Sequence, residues 1–165
     1  MVLGRLSLVA RRGFSLVELL VVLAVVGILA AAGTPYFLTY WQTAKVRGGA
    51  EELATIVNQA RQTAISSNCT VTVNMSANNV QLSLGTNCPR PPYCASLPCN
   101  WRGPGTDSSG NFRLANGNQV TAVTASPVFT YLGAASTPGT LTVTNPTDGR
   151  TLSVVVAASG RVTIQ

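Results

Sequence analysis

A single carboxylate sits inside the most apolar stretch of the chain. From Phe14 to Gly33 every residue is apolar except Ser15 and Glu18, and about 20 such residues in helical conformation match the thickness of a bilayer core. An ionised acid at the centre of a membrane helix costs roughly 2.5–3.5 kcal/mol, so it normally has a partner and a task. The bland account is that Glu18, close behind Phe14, lies near the interface and reaches water by snorkelling. Other chemistry is scarce. The chain has no histidine and five acidic residues, Glu18 among them, whereas general acid–base catalysis needs a positioned titratable pair. Asp107 beside Ser108-Ser109-Gly110 and Asp148 beside Gly149 stand in turn contexts, where aspartate is routine. The serines lack a base to activate them. Composition therefore argues against an enzyme, and no cofactor is expected.

The string Arg11-Arg12-Gly13-Phe14-Ser15-Leu16-Val17-Glu18 resembles the processing site of type IV prepilins and type II secretion pseudopilins. The resemblance implies a prepilin peptidase that cuts after Gly13, N-methylation of the new terminal Phe14, and an assembly role for Glu18. The physics suits that implication. Cleavage leaves a positive amine on Phe14, and an amine and a carboxylate attract far more strongly in low-dielectric surroundings than in water. Docking Glu18 beside the Phe14 amine of a neighbouring subunit would remove the cost of the lone acid and set the axial register of a growing filament. An ordinary secretory signal would instead be cut after the apolar segment, where Ala30-Ala31-Ala32 supplies small residues. Mass spectrometry of the mature N-terminus decides between the two.

Residues 1–13 then form a leader. They carry Arg5, Arg11 and Arg12 and no acid, which holds the leader in the cytoplasm. The rest of the chain is expected outside the inner membrane of a bacterium, as a single-pass protein with its head in the periplasm. The formal charge of +6 falls to +3 when the three leader arginines leave, too little to imply nucleic acid by itself. Residues 14–34 are expected to be the membrane helix, 35–68 its amphipathic continuation, and 69–165 a β-rich head of ordinary domain size.

Pro35 lacks an amide hydrogen and clashes with the carbonyl four residues back, which predicts a kink or a local loss of helix. The helical pattern resumes beyond it. Val46, Ala50, Leu53, Val57, Ala60 and Ala64 follow one another in steps of three and four, one face of a helix fit to pack under a sheet. Gly48-Gly49 disfavours helix by about 1 kcal/mol per glycine and should be tolerated, and Arg47 and Glu51 are spaced to pair.

After Ser66-Ser67-Asn68 the period changes to two. Residues 70–75 and 80–84 alternate about turn residues 76–79, which predicts a hairpin. Further strands are expected at 119–124, 128–132, 141–144, 151–157 and 161–164, with a turn at Asp148-Gly149. The fold class is α+β, one long helix against an antiparallel sheet. Residues 85–118, rich in Pro, Gly, Ser, Asn and cysteine, make a connection of the length that is usually functional or disordered. Four cysteines, Cys69, Cys88, Cys94 and Cys99, permit three pairings in an oxidising compartment. A hairpin turning near Ala77-Asn78 brings Cys69 level with about residue 86, which favours Cys69–Cys88 with Cys94–Cys99. A zinc site has neither histidine nor Cys-x-x-Cys to build on, so no metal is expected.

Residues 44–64, with Arg61-Gln62-Thr63-Ala64-Ile65, and the closing segments Thr151-Leu152-Ser153-Val154-Val155-Val156 and Ser159-Gly160-Arg161-Val162-Thr163 are similar to FimT/GspH-type minor pilins. That similarity implies a pilin-like fold and a structural role at or near the tip of a type IV pilus or of a type II secretion pseudopilus. The implied partners are the major pilin, other minor pilins and the inner-membrane assembly platform. FimT-like pilins are also associated with DNA capture through a basic Gly-Arg motif. Here Arg161 keeps the first arginine, Thr163 replaces the second basic residue, and Arg150 is the nearest further cation. Arg90 and Arg102 flank Tyr93 and Trp101, aromatics of a kind that stack on single-stranded bases. The alternative is that these arginines are scattered solvated charges and the aromatics are packed in the disulfide loop.

Overall fold

The computed structural model describes residues 13–76 and 79–165. The leader up to Arg12 and the hairpin turn at Ala77-Asn78 lie outside the described residues. Helix α1 is Leu16–Ser66. The chain divides into two units, Met1–Thr39 and Tyr40–Gln165, a boundary a few residues beyond the expected end of the membrane segment.

In the first unit helical conformation is uninterrupted at Pro35, so the turn is not lost there. Hydroxyls bond the carbonyls on either side: Thr34 Oγ1 donates to Ala30 O at 2.7 Å, and Thr39 Oγ1 to Pro35 O at 3.1 Å. A proline removes one backbone bond from a run that is otherwise complete, which the rest of the run outlasts.

The second unit packs the remainder of α1 into a core. Val46, Ala50, Leu53, Val57, Ala60 and Ala64 are all buried, and Ile56 joins them. Burying such a stripe, rather than helix propensity, holds a surface helix in place. Around it stand, among the described residues, ten short strands: β1 (Val71–Ser76), β2 (Asn79–Leu84), β3 (Cys99–Asn100), β4 (Asn111–Phe112), β5 (Gln119–Val123), β6 (Val128–Phe129), β7 (Ala135–Thr137), β8 (Gly139–Thr144), β9 (Thr151–Val156) and β10 (Val162–Ile164). The first hairpin has the expected alternation, with Val71, Val73, Val80, Leu82 and Leu84 buried and Val71 opposite Leu84.

The head departs from the single sheet expected. One sheet has the order β3-β2-β1-β6-β7 with β4 also on β2, and a second has the order β10-β9-β8-β5. The chain changes sheet three times, between β4 and β5, between β5 and β6, and between β7 and β8. Every pair is antiparallel, and Leu82 and Phe129 from one sheet share a core with Leu141 and Val154 from the other. The expected strand over 128–132 is only two residues long, because Gly133 N–H closes a turn onto Thr130 O. Nor is 85–118 structureless: β3 and β4 both pair with β2. Strands of two residues carry too little period to be read from sequence.

Candidate functional site

Residues 13–15 are not helical and α1 begins at Leu16, which places Glu18 in its first turn with Leu19 N–H bonded to Ser15 O at 3.2 Å. A carboxylate there faces the positive end of the helix dipole. Phe14 is 84% exposed, and every residue from Gly13 to Thr39 is exposed within the described chain. This stretch is long and apolar enough to cross a membrane. In water such a surface would be a liability, since contiguous apolar patches beyond a few hundred Å² mark interaction or membrane sites. Gly13, Phe14 and Glu18 thus sit together at one end of an apolar helix, while Pro35 lies toward its other end.

The head is braced by two disulfides. Cys69 joins Cys88 with Cα atoms 4.8 Å apart, and Cys94 joins Cys99 at 6.1 Å, so all four thiols are paired. The first bridge follows from hairpin register, because Gly85 N–H bonds Thr70 O as the ladder continues past Val71 and Leu84. Between the bridges Arg90 donates to Cys94 O and Ala95 O, both at 3.1 Å. Arg102 lies over the Tyr93 ring at 5.6 Å, and its backbone N–H donates to the Tyr93 hydroxyl. Trp101 stacks on Phe112 at 6.1 Å against the core. The arginines and aromatics that stood as a base-stacking candidate are thus engaged with the loop itself, which is the packing alternative raised above.

The two arginines that stood as DNA-contact candidates are in different situations. Arg150 bonds Thr43 Oγ1, and its Nε lies 3.8 Å from Asp148 Oδ2, which locks the β8–β9 turn to the start of the head helix. Arg161 has an exposed side chain. Its neighbour Gly160 adopts φ +80°, and a Cβ there would lie 1.9 Å from Gly133 O. That same carbonyl accepts from Arg61 Nε at 2.8 Å. The glycine of the Gly-Arg pair therefore has a packing reason of its own, the close approach of Gly133 and Arg61.

Two further contacts escaped the sequence reading. Asn118, nearly fully buried, donates through Nδ2 to Lys45 O and Ala115 O at 2.9 Å each, and a Cβ on Gly49 would fall 2.4 Å from that nitrogen. Glu52 accepts from Ala115 N–H at 2.7 Å. Both fasten the end of the 85–118 connection to α1. No local pattern marks contacts between residues more than sixty positions apart. In the loop at Asp107 the carboxyl is held below its usual range, chiefly by the backbone N–H and side-chain amide of Asn111, with Ser109 N–H and the charge of Arg113 adding to it. Asp107 thus braces a turn, as its context suggested. Among the described residues no group of three His, Cys, Asp or Glu is placed to hold a metal.

Comparison with known proteins places this architecture. Residues 49–160 match the family described as type II transport protein GspH, and residues 9–34 match the prokaryotic N-terminal methylation motif. No curated protein matches the chain. Among solved structures, the minor pseudopilin EpsH of the type 2 secretion system of Vibrio cholerae is 13% identical over 73% of this chain and 96% of that one, with a TM-score of 0.54. GspH of E. coli is 15% identical over 74% and 88%, with a TM-score of 0.55. The type IV minor pilin FimU of Pseudomonas aeruginosa strain PAO1 is 16% identical over 76% and 92%, with a TM-score of 0.47. A methylation motif leading into an apolar helix, followed by a helix-and-sheet head that the family matches from Gly49 to Gly160, makes this chain a member of the GspH family, a minor pilin or pseudopilin and so a structural subunit rather than an enzyme.

Proposed function

We propose that this chain is a minor pilin, inserted in the bacterial inner membrane with its head in the periplasm and assembled near the tip of a type IV pilus, where it helps to prime the filament. The prepilin peptidase removes residues 1–13, and Phe14 becomes the methylated N-terminus. Glu18 then leaves lipid by pairing with the Phe14 amine of a neighbouring major or minor pilin on the inner-membrane platform. Pro35 is the point at which the helix bends or loosens in the packed filament. The observation that carries this reading is the fully exposed apolar surface around one first-turn carboxylate, which needs both a lipid phase before assembly and a partner charge during it. Intact-mass analysis of the mature protein tests it: a methylated Phe14 terminus is expected, and a terminus beyond Ala32 would end the proposal.

The family description and the likeness to EpsH and GspH favour a second reading, a minor pseudopilin of a type II secretion system. Deletion separates the machines. Loss of twitching and transformation identifies the pilus, and loss of exoprotein secretion identifies the pseudopilus. A contribution to DNA uptake would rest on Arg161, since Arg150 is tied to Thr43 and Asp148. An electrophoretic shift by the detergent-solubilised protein that weakens steeply with salt and is abolished by Arg150→Ala/Arg161→Ala would establish it.

A further inference from the structure

The chain has two tryptophans, four tyrosines and four phenylalanines, and four of these ten fall in the six residues 36–41. Tyr36, Phe37, Tyr40 and Trp41 are each more than half exposed. They follow directly on the apolar run, and no Lys or Arg occurs between Arg12 and Lys45. Aromatic side chains with one polar edge concentrate at both membrane–water interfaces, where the ring body meets acyl chains and the polar edge meets headgroups. None of the four belongs to the buried core.

Within the second unit the pattern has a built form. Lys45 Nζ lies 5.9 Å from the centre of the Trp41 ring. Trp41, Ala44, Lys45 and Asn116 line an open cleft of about 150 Å³. Asn116 holds φ +57° at the tip of its loop, a left-handed conformation that asparagine tolerates. That loop is fixed to the helix by the Asn118 and Glu52 bonds.

Chain length keeps this rim close to the membrane surface. Tyr40 is five residues past Pro35, about 8 Å along a helix, and even a fully extended chain could carry it no more than roughly 18 Å. The headgroup layer is about 5–8 Å deep on each side of the hydrocarbon. Whatever angle the two units adopt, Tyr40 and Trp41 cannot travel far from the point where the helix leaves the bilayer.

We infer that Tyr40, Trp41 and Lys45, with the Asn116 loop, form a docking rim by which the head of the unassembled subunit rests in the phospholipid headgroup layer, the aromatic rings among the headgroups and the Lys45 ammonium on lipid phosphate. This rests on the reading of the apolar run as a bilayer span. Joining a filament would then require the rim to leave the lipid, so the same surface contributes to the cost of extraction.

The test uses the full-length protein carrying Trp101→Phe, so that Trp41 is the sole tryptophan, reconstituted in phosphatidylethanolamine/phosphatidylglycerol vesicles. Lipid spin labels at the headgroup and at the end of the acyl chain quench its fluorescence, and aqueous iodide reports exposure to water. The expected result is quenching by the headgroup label about twofold or more above that by the chain-end label, with little iodide quenching, and a shift toward iodide access on Lys45→Glu. Protein that floats with the vesicles while Trp41 stays open to iodide overturns the rim and leaves the span standing. Protein that fails to float overturns both. Shielding of Trp41 that disappears as protein is diluted into excess lipid identifies a second subunit as the occupant and overturns lipid docking.

Discussion

Two portions of one helix obey different solvents. Before Thr39 the apolar residues occur all round and every one is exposed, whereas from Val46 to Ala64 they form a stripe that is buried against the sheets while the other face carries Arg47, Glu51 and Gln59. Helical hydrogen bonding is common to both, so the backbone is indifferent to the distinction. What differs is the angular distribution of apolar surface, and with it the medium that satisfies each portion: lipid or neighbouring helices for the first, the chain's own strands for the second.

The largest expected effect sets the first portion's lone charge against the rest of the chain. Glu18→Ala should leave cleavage after Gly13 intact and lower incorporation into filaments by about a hundredfold, if most of the roughly 2.5–3.5 kcal/mol cost of the lone acid drives docking. Immunoblots of sheared filaments against whole cells measure it, and normal incorporation would remove the pairing role. A paired truncation comes next. Leu53→Ala, at a fully buried site, should cost the head about 2–5 kcal/mol by chemical unfolding in detergent. Leu23→Ala, at an exposed one, should leave head stability unchanged, and equal losses at the two sites would erase the contrast.

The glycines sharpen it further. A Cβ on Gly27 meets nothing within 4 Å, so Gly27→Ala should raise helicity measured by circular dichroism in detergent, by up to about 1 kcal/mol of helix stability. The same change at Gly49 drives a methyl into Asn118, and there the loss should be about 1–3 kcal/mol. The smallest effect concerns the solvated loop. Because Asn111 holds the Asp107 carboxyl below the ordinary value of 3.8, its contribution is present above that pH and is lost as pH falls through the depressed value. Asp107→Asn should therefore melt below the parent at neutral pH, with the gap closing under strong acid. A gap independent of pH would exclude the carboxylate as its source.

These contrasts separate what was legible in the chain from what was not. The helix face, the first hairpin and the Cys69–Cys88 pairing follow from periods of 3.6 and 2 and from register counting, all of which are properties of neighbours in sequence. For Trp101 the sequence leaves base stacking and loop packing both open, because nothing near it in the chain announces Phe112. Arg150 looked like a free cation because Thr43 lies 107 residues away. The division of the head into two sheets was also hidden, since β6 and β7 are too short to show a pattern and are placed by pairing, β6 with β1 and β7 with β6.

By itself the sequence determined that one carboxylate lies in an apolar helix long enough to span a bilayer, and that a β-rich, disulfide-braced head would follow an amphipathic helix. Hydrophobicity and spacing act locally, and no fold is needed to read them. Only the tertiary structure decided which strands share a sheet, which arginines are already engaged, and that Gly49 and Gly160 exist to let other residues come close. Those outcomes depend on distances between segments remote in the chain, and such distances are fixed by how the whole core closes rather than by any stretch of it.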